Sequence, residues 1–107
     1  MLNRERLTKY LEQISSEIDI INSILVHNDE EILESKHFLR SLKYSTVVIA
    51  EAIANTLQHI LAKKFKVTVS GYKEVLIKSR DNQVVSSELL GNLHPFIRFR
   101  NMLIHQY

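Results

Sequence analysis

The apolar residues of this chain recur at helical spacing, and little in the sequence interrupts them. Near the N-terminus they alternate steps of four and three residues along one seam: Leu7, Leu11, Ile14, Ile18, Ile21 and Leu25. This rhythm is typical of a helix packed against near-parallel neighbours. The 107 residues include only 2 glycines and 1 proline, so tight turns are scarce. The sequence therefore predicts one all-α domain over residues 1–107, an up-and-down bundle of four to five helices.

Capping residues set the predicted limits of the first helices. The apolar seam places a helix over residues 3–26. Asn28 is a good N-cap and is followed by three acidic residues, so a second helix begins there and runs over 29–64. Unbroken, it would be about 54 Å long, which is unusual in so small a domain. We therefore expect a break near residues 34–36.

The second half of the chain predicts two further helices. A β-branched connector leads to a short helix over 71–79, and residues 81–83 form a turn. Ser86 or Ser87 caps a last helix that continues to the C-terminus. Pro95 lies within it and removes one backbone hydrogen bond, so we expect a kink just before it.

Composition excludes several classes of site. The chain has no cysteine, which excludes disulfides and thiolate metal sites, and no glycine-rich phosphate loop. Its net charge of +2 and pI near 9.0 permit a nucleic-acid partner without requiring one. The charged N-terminus does not resemble a signal peptide, and no apolar run is long enough for a membrane span. We expect a cytoplasmic protein that needs no metal or cofactor.

A polar cluster closes the sequence. Arg100, Asn101, His105 and Tyr107 lie within about two helical turns. Arg100 interrupts an otherwise apolar stripe, in which a charge is costly unless a partner compensates it. The stripe consists of Leu90, Leu93, Ile97 and Ile104.

These side chains suit the cleavage of RNA, which carries its own nucleophile in the 2′-hydroxyl. An imidazole such as His105 exchanges protons near neutral pH, and the guanidinium of Arg100 binds phosphate. Asn101 would bind phosphate or fix the imidazole tautomer. On an ideal helix Arg100 and His105 are about 140° apart, whereas Arg98 lies within about 20° of His105, so two arginines compete for this role.

A structural role for the same residues stays open. Arg100 would then pair with Glu51 at the edge of the core or extend to solvent. Glu51 belongs to a polar stripe with Asn55 and Gln58 on an otherwise apolar helix. It is a candidate either for lining a cleft or for pairing with an arginine.

The string Phe99-Arg100-Asn101-Met102-Leu103-Ile104-His105-Gln106-Tyr107 resembles the signature of the HEPN superfamily. The superfamily has an arginine and a histidine four to six residues apart, with a polar residue after the arginine. With a tyrosine two positions after the histidine, the string resembles more specifically the signature of the HepT-like toxin family. Segments 49–55 and 70–74 resemble that family's second and third helices.

The resemblance implies an all-helical homodimer that brings two Arg-His motifs to a shared cleft. It implies a metal-independent ribonuclease toxin, with Arg100, Asn101 and His105 as the site. A nucleotidyltransferase antitoxin would add adenylate to Tyr107. Because family members continue past this tyrosine, we expect a further segment after residue 107. The alternative hypothesis is a non-catalytic subunit that binds a nucleotide or a nucleotidyltransferase.

Overall fold

Five α-helices form the structure. The computed structural model describes residues 1–105 in full and the backbone of Gln106. In this part of the chain there is no strand, and the all-α prediction is confirmed. The helices are α1 (Arg4–Leu25), α2 (Asp29–Glu34), α3 (Lys36–Lys64), α4 (Tyr72–Asp81) and α5 (Ser87–Gln106).

The break predicted near residues 34–36 is confirmed, and Ser35 makes it. Its backbone is extended (φ −97°, ψ 111°), which ends α2. Its Oγ then accepts a hydrogen bond from the Phe38 N–H at 3.1 Å, which caps α3. Asn28 and Ser86 cap α2 and α5 in the same way, through their side-chain oxygens. Local side-chain hydrogen bonds therefore decide where these helices begin.

The predicted end of α4 is wrong, because the helix runs to Asp81 instead of residue 79. Asn82 extends it: both its backbone N–H and its side-chain amide donate to the Lys78 carbonyl, at 3.0 and 2.9 Å. Gln83 then adopts a left-handed backbone (φ 60°) and turns the chain toward α5.

The core joins the second half of α3 to α4 and α5, while α1 packs along α3. No helix in residues 1–106 is long and apolar enough to cross a membrane. Since each of the three helices contributes buried side chains, their relative positions at this end of the bundle are fixed by apolar packing. The buried core residues are Ala50, Leu57, Leu61, Val69, Val75, Leu76, Val85, Leu90 and Ile97.

A buried histidine ties the start of α1 to α3. The backbone N–H of Asn3 donates to Nε2 of His59 at 2.9 Å. Burial lowers the pKa of His59, and the positive charges of Arg6, Lys63 and the chain's amino terminus lower it further. The imidazole is therefore held neutral, as an acceptor of this hydrogen bond requires.

Apolar surface remains uncovered on several helices, including α1 and α5. On α1, Leu11, Ile18 and Leu25 are exposed and lie seven residues apart, which places them on one face. On α5, Phe99 and Met102 are exposed and three residues apart. These side chains are available to a partner surface, since none of them is packed in the core.

Candidate active site around Arg100

Helix α5 directs Arg100 toward α3 and α4. Leu90 and Ile97 are buried against those helices, and Arg100 follows Ile97 by three residues on the same side of α5. Its side chain is consequently only 16% exposed. The helix packing that forms the core thus also carries a permanent cation to the core's edge.

Three neighbours hold the guanidinium. Nη1 of Arg100 donates to Oδ1 of Asn101 at 2.9 Å. Nη2 lies 3.7 Å from Oε1 of Glu51. The guanidinium carbon lies 4.4 Å from the ring centre of Tyr72, within the range of a cation–π interaction. The arginine is therefore held by residues of α3, α4 and α5 together.

The guanidinium nevertheless keeps unused hydrogen-bonding capacity. It has five N–H donors in all. Nε is buried and has no hydrogen-bond partner among the described residues. The approach to Glu51 is longer than a hydrogen bond, and the Glu51 side chain is 53% exposed. Glu51 therefore reduces the net charge near Arg100 without saturating its donors, so an incoming anion would still find unoccupied N–H groups.

Tyr72 presents a neutral ring to this cation. Burial raises the pKa of its phenol; the positive charge of Arg100 works against that rise, and the carboxylate of Glu51 adds to it. Tyr72 is the first residue of α4 and follows Gly71, whose backbone is left-handed (φ 82°). In the sequence, Tyr72 lies within the segment that resembles a family helix, and the pattern predicts no role for it.

A surface cavity of about 340 Å³ lies between α3 and the start of α4. Glu51 and Tyr72, which both contact Arg100, are among the residues that line it. The polar stripe noted in the sequence lies on α3 and faces this cavity, since Asn55 and Gln58 line it as well. Its remaining lining residues are Ala54, Gly71 and Val75. In this structure Glu51 lies within ion-pair distance of Arg100 and also lines the cavity.

Within the described residues, no hydrogen bond or ion pair joins His105 to Arg100. It is exposed, five residues along α5, at the ideal-helix separation of about 140°. Asn101 is the link between the two faces, since it bonds Arg100 and lies about 40° from His105 one turn earlier. Arg98 is also exposed, on the His105 side of the helix. Tyr107, the predicted site of modification, lies outside the described residues.

The described residues contain no group of three histidine, aspartate or glutamate side chains placed to hold a metal ion. A model of the family described as Ribonuclease HepT-like matches residues 14–107. The comparison with curated proteins gave no match. The matched range takes in α2 to α5 and most of α1, and so it includes Arg100 and each residue that contacts it.

Proposed function

The chain belongs to the HepT-like ribonuclease family, and from this membership and the surroundings of Arg100 we propose that it is a metal-independent endoribonuclease. The observation that supports this most directly is the state of the guanidinium. Arg100 is largely buried and held on three sides, yet Nη2 makes no hydrogen bond within the described residues and only approaches Glu51 at 3.7 Å. A fixed cation with free donors is suited to a phosphate whose charge grows in the transition state.

In the proposed reaction the 2′-hydroxyl of RNA attacks the adjacent phosphorus, and the bond to the 5′-oxygen breaks. The attacking oxygen loses its proton to a base, and the leaving oxygen gains one. The products are a 2′,3′-cyclic phosphate and a 5′-hydroxyl. Arg100 binds the phosphate oxygens throughout. The reaction needs no added nucleophile, because RNA supplies one, and it needs no metal, because the guanidinium supplies the positive charge.

His105 is our candidate for moving these protons. Its imidazole is exposed near the end of α5, where a substrate can reach it. General acid–base catalysis by such a group typically contributes about 10²- to 10⁴-fold in rate. Asn101 is the candidate for positioning Arg100, because it accepts the hydrogen bond from Nη1.

We further propose that the working site forms in a homodimer. Within one chain Arg100 and His105 lie on different faces of α5. A second copy could place its own imidazole near the guanidinium of the first and so complete the site. The exposed Phe99 and Met102 lie on the same helix as the motif. Joining two copies through these residues would cover apolar surface and bring two motifs close together.

The family resemblance of the C-terminal motif also suggests how the protein is regulated. We propose a toxin whose antitoxin partner is a nucleotidyltransferase that transfers adenylate to Tyr107. Incubation with the partner and ATP should add one adenylate to the chain, and Tyr107→Phe should prevent the addition. Mass spectrometry of the intact protein measures it. Addition that persists in Tyr107→Phe would exclude this residue.

The central experiment is RNA digestion in EDTA with Arg100→Ala and His105→Ala. Wild-type protein should release fragments with 2′,3′-cyclic phosphate ends, and each variant should lose about 10²-fold or more of the rate. Circular dichroism should show unchanged helix content. Glu30→Gln, an exposed change on α2, is the matched control and should cleave as wild type does. Equal rates in all four proteins would refute the proposal.

A second candidate function is a non-catalytic subunit that binds a free nucleotide. The cavity beside Arg100 supports it, because a phosphate at the guanidinium would leave room for the rest of a nucleotide. Nucleotide binding that Arg100→Ala abolishes, in a protein that leaves RNA intact, would favour this function over the ribonuclease.

A further inference from the structure

We propose that the cavity lined by Glu51, Asn55, Gln58 and Tyr72 is a base-binding subsite that selects guanine in the RNA substrate. The inference rests on the proposed ribonuclease function and adds a sequence preference to it. We refer to this cavity as the base pocket. Single-stranded RNA is generally recognised in this manner, by bases that leave the stack and enter pockets lined by aromatic and polar side chains.

The base pocket begins where the phosphate would bind. Oε1 of Glu51 lies 3.7 Å from Nη2 of Arg100, and the ring centre of Tyr72 lies 4.4 Å from the guanidinium carbon. Both residues also line the pocket. A phosphate bound to Arg100 would therefore place its own nucleoside at the pocket mouth. The volume of about 340 Å³ is at the lower end of the range usual for small-molecule sites, which suits a single base.

The hydrogen-bonding character of the pocket favours guanine. The carboxylate of Glu51 offers hydrogen-bond acceptors, and its 3.7 Å contact with Arg100 is too long to be a hydrogen bond that would occupy them. Guanine alone among the four bases presents two adjacent donor groups, N1–H and the N2 amine, to which a carboxylate can bind with both oxygens. Adenine and cytosine present a single amine beside an acceptor, which would face the carboxylate unfavourably.

The remaining lining residues complement a purine. Asn55 has an exposed side-chain amide, able to donate to the guanine O6. The amide nitrogen of Gln58 lies 3.5 Å from the Val69 carbonyl and donates to it, which leaves the Gln58 carbonyl oxygen as an acceptor. Ala54 and Val75 supply apolar walls. The pocket thus pairs apolar surface with a small number of polar groups, as base recognition requires.

Nucleotide binding tests the base pocket without relying on cleavage. GMP, AMP, CMP and UMP would be titrated into the wild-type protein and followed by NMR chemical shifts. GMP should bind about ten-fold more tightly than the others, as expected for one bidentate contact to a base. Glu51→Gln, which puts a donor opposite guanine's donors, should remove the preference. Equal affinity for all four nucleotides would overturn the inference.

Cleavage mapping tests the same pocket in RNA. Fragments of a random-sequence RNA, digested in EDTA and sequenced at their ends, should show guanine enriched next to the cut. Asn55→Ala should reduce the enrichment, and Glu74→Gln is the matched control because Glu74 lies on α4 outside the base pocket. RNA cleaved without base preference would overturn the base pocket and leave the ribonuclease standing. A guanine preference in binding without any RNA cleavage would refute the ribonuclease and leave a pocket for free guanine nucleotides.

Discussion

The guanidinium carbon of Arg100 lies 4.4 Å from the ring centre of Tyr72, so α4 supplies an aromatic support for a cation carried by α5. The contact occurs where Arg100 is also bonded to Asn101 and close to Glu51. A long, flexible arginine side chain is thereby held in one place before any substrate arrives. Such preorganisation lowers the cost of placing charge opposite a phosphate in the transition state.

Tyr72→Ala should reduce RNA cleavage, whereas Tyr72→Phe should preserve it. A cation–π contact of this type contributes about 0.5–2 kcal/mol, which corresponds to about a 2- to 30-fold change in rate. Phenylalanine keeps the ring and loses only the hydroxyl. Steady-state kinetics on a short RNA would measure both. Equal loss in the two variants would show that the hydroxyl, not the ring, is what matters.

Arg98→Ala should weaken RNA binding with little effect on the chemical step. Arg98 is exposed on the His105 side of α5, whereas Arg100 is largely buried and held by three neighbours. An exposed arginine contacts RNA as one of several charges, so its loss should raise KM and reduce the salt dependence of binding. Kinetics at two salt concentrations would measure this. A fall in kcat as large as that of Arg100→Ala would instead assign the phosphate role to Arg98.

The stability of the fold should fall in mild acid through His59. Its pKa is lowered in the folded chain, so the unfolded chain takes up the proton first as the pH falls. The stabilisation is complete above the ordinary imidazole pKa of 6.5 and is lost as the pH drops from there toward the lowered value. Protonation also removes the acceptor for the Asn3 N–H.

Urea unfolding at several pH values between 8 and 5 would measure this loss. His59→Gln is the informative variant, because glutamine keeps a hydrogen-bond acceptor and does not titrate. The variant should show a flatter dependence of the free energy of unfolding on pH. An unchanged dependence would assign the acid sensitivity to other groups.

Phe99→Glu should convert the proposed homodimer to monomer and reduce cleavage with it. Phe99 is 46% exposed on the motif helix, so the change should not disturb the core. A carboxylate buried at a subunit interface is costly unless a positive charge pairs with it. Light scattering gives the oligomeric state, and Leu25→Glu on α1 serves as the control. A dimer that survives Phe99→Glu and dissociates with Leu25→Glu would place the interface on α1.

The sequence predicts most of the helices because local interactions determine them. The four-and-three spacing of apolar residues marks α1, and Asn28, Ser35 and Ser86 start their helices through their own side chains. The end of α4 is not predicted correctly, because asparagine is common in turns and Asn82 is expected to lie in one. In the structure its side chain instead donates to the Lys78 carbonyl and extends the helix.

At the candidate site the sequence alone identified Arg100 as a charge in an apolar stripe that needs a partner, and it offered Glu51 as that partner. It gave Tyr72 no role, because Tyr72 stands twenty-eight positions before Arg100 and touches it only when α4 packs against α5. Periodicity and capping depend on neighbours along the chain. The cavity and the fixed guanidinium depend on how three helices bury their apolar faces together, so the tertiary structure alone decided them.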